Sequence, residues 1–154
     1  MVRGSVIRFI LLGTVAHVAL GRWVDSPWLL PDVTLVGIGL AASRSRASWL
    51  ELTLVAGLLP MLASSAHGWA VGLSYAGSAA IWRWAGSRWD LADGRLSAAC
   101  TAMLESGLAL WWVWRAEAWS WELWAAVPLR VAMTALGWAL ASRWFAPREA
   151  VRHA

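Results

Sequence analysis

The sequence predicts an all-α membrane protein with six transmembrane helices and both termini in the cytoplasm. Three observations carry that prediction. Of 154 residues, 60% are hydrophobic and 14% charged, and the mean hydropathy is +0.56, well outside ordinary soluble composition. Apolar runs recur along the whole chain, broken at short intervals by arginine and tryptophan. The arginines fall unevenly between alternate breaks, as orientation in a bilayer requires.

The first run, 5–22, follows Arg3 and Arg8 and resembles a signal peptide. No small-x-small cleavage site precedes a polar mature domain, and further apolar runs follow, so it is read as a retained span. The second run, 29–43, is the shortest and begins inside "WLLPDVTLVGIGLAASRSR". Pro31 suits a first helical turn, where its missing N–H has no intrahelical partner anyway. Asp32 beside it can accept from free backbone N–H groups and oppose the helix dipole, an effect of about 0.3–1 kcal/mol. At that end of a span it is expected close to water. Arg44 and Arg46 close the run as its cytoplasmic anchor.

The third run, 48–66, carries Glu51 near the cytoplasmic boundary, within reach of Arg44 or Arg46, and Pro60 further along. The fourth, 68–84, follows after a tight turn in "SSAHGW". A single long segment kinked at Pro60 is the alternative reading of these two. The fifth run is 96–114 and the sixth 123–143, and the loops between runs are too short for a soluble domain. Residues 1–154 thus form a single six-span membrane domain with a short basic tail.

With a cytoplasmic N-terminus, ten arginines fall on the inner side (Arg3, Arg8, Arg44, Arg46, Arg83, Arg88, Arg95, Arg143, Arg148 and Arg152), against Arg22 and Arg115 on the outer side. Of the fifteen tryptophans, Trp138 lies well inside a predicted span. The others mark the boundaries that indole prefers: Trp69, Trp111 and Trp114 among those outside, Trp49, Trp82, Trp84 and Trp89 among those inside. The sequence pI near 11.0 would suggest nucleic acid in a soluble domain. Here the arginines lie between apolar runs, so membrane orientation explains them and nucleic acid is not an expected partner.

Small residues let helices approach closely in lipid. Gly68, Gly72, Ala76 and Ala80 recur every four residues as one continuous face of the fourth span, with Gly57 and Ala63 in the third and Gly37 and Ala41 in the second. Packing within the bundle is the first reading of that face, and a surface kept for a partner's helix the second. Glu105, near the middle of the fifth span, and Arg130, seven residues into the oppositely directed sixth, fall at comparable depth in the outer half. Either charge alone is costly in hydrocarbon, so a buried Glu105–Arg130 pair is expected.

Catalytic and metal signals are weak. Cys100 is the sole cysteine, and His17, His67 and His153 lie too far apart for a local metal motif. Ser74 sits in a G-x-S arrangement near His67, but a rhomboid-type protease needs a histidine on a later helix, and His153 is in the tail. Ser74 and Ser78 are expected to bond back to their own helix, with His67 capping an outer turn. No phosphate loop or catalytic carboxylate pair is present, so neither enzymatic activity nor a cofactor is expected.

The Pro31–Asp32 pair at the head of an apolar run, and the glycine-containing helix that leads through a small-polar turn to another glycine in "VAGLLPMLASSAHGWAVGLSYAGSA", resemble the MreD family of rod shape-determining membrane proteins. Gly57, Ser64, Ser65 and Gly68 match the pattern; Pro60 stands about where the family has an acidic residue. The resemblance spans nearly the whole chain in length, span number and orientation. It implies a fold like the substrate-binding subunits of energy-coupling-factor transporters and a non-enzymatic role in the bacterial elongation machinery. It further implies association with MreC, and through it a link from the cytoplasmic actin-like MreB to RodA and its transpeptidase partner, which insert side-wall peptidoglycan. It also implies an outer surface shaped by the Pro31–Asp32 turn. The arginine-rich face would suit anionic lipid. The rival reading is a vitamin-binding subunit of an energy-coupling-factor-type transporter, with Asp32, Glu105 and Arg130 lining a ligand cavity.

Overall fold

The computed structural model describes residues 3–23, 29–44, 48–64, 68–91, 93–115 and 120–144. Six helices lie among these residues and no strand: α1 Arg3–Leu20, α2 Val33–Arg44, α3 Trp49–Ala63, α4 Gly68–Arg88, α5 Gly94–Arg115 and α6 Trp121–Trp144. Two of them, α5 and α6, are long and apolar enough to cross a membrane. By contrast, α1, α2 and α3 are apolar but have 18, 12 and 15 residues, below the roughly 20 of a full perpendicular span.

Local chemistry sets the ends. α2 starts two residues beyond Pro31, with Asp32 as its cap. α3 starts at a capping box: the Glu51 N–H donates to Ser48 Oγ at 3.2 Å while the Ser48 N–H donates to Glu51 Oε2 at 3.1 Å. Glu51 is therefore engaged with its own helix end. The Arg44 side chain and Arg46, its expected partners, lie outside the described residues, as do Ser65 and His67 in the turn after α3. Pro60 sits in the last turn of α3 without ending it, and the Ser64 N–H closes that end on the Pro60 carbonyl at 3.0 Å. α3 and α4 are thus two helices rather than one kinked segment. α4 runs four residues past the expected boundary at 84, because arginine and tryptophan end an apolar run without ending a helix. The Arg95 N–H donates to Asp93 Oδ1 at 2.8 Å before α5, and Ser120 caps α6.

α2 is apolar on every side and buried along nearly its whole length, which makes it the axis of the bundle. It touches all five other helices. The outer five all expose large apolar side chains, such as Leu12, Leu62, Leu73, Met103 and Leu136. α1 lies against α2 where glycines remove bulk from both: a Cβ on Gly37 would stand 2.5 Å from the Phe9 carbonyl oxygen. α3 and α4 form an antiparallel hairpin at a similar crossing. A Cβ on Gly72 would stand 3.0 Å from the Gly57 carbonyl oxygen, and one on Gly57 3.3 Å from Ala76 Cβ.

Trp82 is buried, with its ring centroid 5.0 Å from that of Trp138. The core also corrects one assignment. Ala63, expected in the small-residue packing of the third span, is exposed at the end of α3.

Candidate functional site

Polar groups converge where the head of α2 meets the middle of α4, α5 and α6. Asp32 is 1% exposed. As the residue before Val33 it caps α2, accepting the Leu35 N–H on Oδ1 at 2.9 Å. Its Oδ2 accepts the Tyr75 hydroxyl of α4 at 2.7 Å. Its own backbone N–H donates to Thr134 Oγ1 of α6 at 2.8 Å. The sequence expectation that Asp32 lies close to water is therefore corrected. Capping holds, but the capped end is covered by α4 and α6, so the carboxylate faces the interior.

Arg130 joins this aspartate to α5. Its Nε donates to Glu105 Oε1, and its Nη2 stands 3.5 Å from Asp32 Oδ2. Glu105 is fully buried and Arg130 only 9% exposed. Two carboxylates thus share one guanidinium, and four helices meet in a single network. Such a group of charges stabilises a bundle only while it is complete, since removing one partner leaves a buried charge uncompensated. Glu105 Oε2 is buried with no hydrogen-bond partner among the described residues.

Beside this network, the other residues singled out have structural places. Gly57, Gly68, Gly72 and Ala76 lie in the α3–α4 seam, where Gly68 and Gly72 back onto Met61. α3 therefore covers that part of the small-residue face, and a partner's helix cannot use it. Ala80, further along, is half-buried, as is Pro31. Ser74 and Ser78 bond back to the carbonyls of Ala70 and Ser74 at 2.8 and 2.9 Å. His153 and the tail arginines Arg148 and Arg152 lie outside the described residues.

Comparison with known proteins finds nothing. No family model, curated protein or solved structure matches the chain.

Tyr75 and Thr134 are absent from the sequence-derived set. The "GLSY" segment draws attention to its serine, and only the packing of α4 and α6 on the head of α2 reveals that the neighbouring tyrosine and a distant threonine are the polar partners. Chemically the arrangement is a lock. Its donors and acceptors face one another across helix seams, and none of Asp32, Tyr75, Glu105 or Arg130 lines the groove between α4 and α5.

Proposed function

We propose that the chain is a non-enzymatic, MreD-like membrane component of the bacterial elongation complex, with six membrane-embedded helices and cytoplasmic termini, that binds MreC and supports side-wall peptidoglycan synthesis. The observation that carries this reading is the Pro31–Asp32 head of a short central helix, tied by internal polar partners to three other helices. The same dipeptide carries the sequence resemblance. A protein whose polar core is committed to holding its helices in register suits a scaffold. In this reading MreC, RodA with its transpeptidase partner, and MreB are the protein partners, and lipid surrounds the bundle.

Membrane embedding gains support from the spacing of Arg–Trp contacts along α4. Arg115 stacks over Trp69 at 5.2 Å and Arg88 over Trp84 at 5.9 Å. The two rings, of Trp69 and Trp84, are fifteen residues apart, or roughly 22 Å at helical rise, which places both contacts within the scale of the ≈ 30 Å hydrocarbon thickness. The exposed apolar side chains of the five outer helices suit the same surroundings.

The rival reading, a vitamin-binding subunit, requires Asp32, Glu105 and Arg130 to line a ligand cavity; instead they contact one another. Depletion of the protein in the rod-shaped bacterium that carries it tests the proposal. Rounded cells with side-wall synthesis lost are expected. Unchanged rods, or tight binding of a vitamin by the purified protein, would remove it.

A further inference from the structure

Between α4 and α5 the bundle leaves a groove of 590 Å³. Gly77 and Gly107 lie at its middle, and a Cβ on either would meet nothing within 4 Å, so the two helices stand apart there. Leu73, Ile81 and Met103 flank it and are exposed, which opens the groove sideways onto the apolar surface. At one end stand Trp69 and Trp111. Over Trp69 lies the Arg115 guanidinium, whose Nε is buried and has no hydrogen-bond partner among the described residues. A buried, unpaired donor of this kind calls for an acceptor.

Dimensions select the occupant. From Trp69 to Ile81 the groove follows twelve residues of α4, roughly 18 Å at helical rise, a little more than one leaflet of a ≈ 30 Å hydrocarbon core. A transmembrane helix of a partner would need the full membrane thickness, whereas a single hydrocarbon chain occupies one leaflet. The charged end lies at the aromatic level where lipid headgroups sit, and guanidinium is suited to phosphate.

We propose that the α4–α5 groove binds one acyl chain of a phospholipid whose phosphate is held by Arg115. The site rests on α5 lying in the membrane and is independent of the MreC-binding reading. Charge supplies the head contact, and the opposed glycines supply the space for the chain.

Native mass spectrometry of the purified full chain in detergent, titrated with dioleoyl phosphatidylglycerol, tests this. Wild type should retain one lipid. Arg115→Gln should weaken retention about ten- to a hundredfold, the equivalent of one lost charge-assisted hydrogen bond. Gly107→Leu, which fills the groove, should weaken it at least as much with the unfolding temperature unchanged; Gly77→Leu repeats that test from the other wall. Dioleoylglycerol, which lacks the phosphate, should bind wild type and Arg115→Gln alike. Equal retention of phosphatidylglycerol by wild type, Arg115→Gln and a folded groove-filling variant would overturn the proposal. So would a photo-crosslinker at Gly107 that captures a protein instead of lipid in cells.

Discussion

The Tyr75 hydroxyl donates to Asp32 Oδ2 at 2.7 Å, joining the middle of α4 to the head of α2 across 43 positions of sequence. Tyr75→Phe keeps the ring in place and deletes this one bond. A hydrogen bond to a charged group contributes about 1.5–3 kcal/mol. Thermal unfolding in detergent should show that loss, and an unchanged midpoint would mean that the bond does not hold α2.

The two oxygens of Asp32 make separable predictions. Asn keeps an acceptor for the Leu35 N–H but sets its NH2 where Oδ2 accepted the Tyr75 hydroxyl, while Arg130 retains Glu105 as a partner, so Asp32→Asn should cost about 1.5–3 kcal/mol. Asp32→Ala removes the cap and leaves the Tyr75 hydroxyl without its acceptor in the interior; a loss of about 3–5 kcal/mol is expected. Equal losses in chemical denaturation would refute the division of labour between Oδ1 and Oδ2.

Arg130 faces two carboxylates, which alters the natural test of its pairing. Reversing Glu105 and Arg130 together would set a new carboxylate at position 130 against Asp32, so a neutral cycle is cleaner. Arg130→Gln alone should cost about 3–5 kcal/mol, because both acids lose their cation. Adding Glu105→Gln should recover part of it, with a coupling of about 0.5–3 kcal/mol, whereas strict additivity would argue against direct pairing.

At the α3–α4 crossing, bulk is the variable. Gly72→Leu presses a side chain against the Gly57 carbonyl and Met61 and should destabilise by about 1–3 kcal/mol. Gly77→Ala, on the open side of the same helix, should be neutral or slightly stabilising, since it removes backbone freedom from the unfolded chain. The difference in unfolding midpoint between the two variants is the measurement.

How much of this was legible in the sequence depends on the range of each interaction. Apolar runs separated by arginine locate the six helices to within a few residues, because that pattern is local. Counting depth from opposite ends brings Glu105 and Arg130 to one level, where the structure has their side chains in contact. The cap at Asp32 is equally local, and so is the Ser48–Glu51 box, an S-x-x-E signal that the charge argument drew toward Arg44 and Arg46 instead. What the sequence conceals is which faces meet. The burial of Asp32 depends on α4 and α6 closing over the head of α2. The burial of Trp82 likewise depends on which face of α4 meets Trp138.

The central claim is that this internally locked bundle is a scaffold that binds MreC. Affinity purification of the tagged chain from membranes of its native host, under mild detergent and at native level, tests it most directly. The account predicts an MreC-like protein recovered with the wild-type chain and lost with Asp32→Ala but retained with Asp32→Asn. Recovery of the folded wild-type chain without any such partner would contradict it.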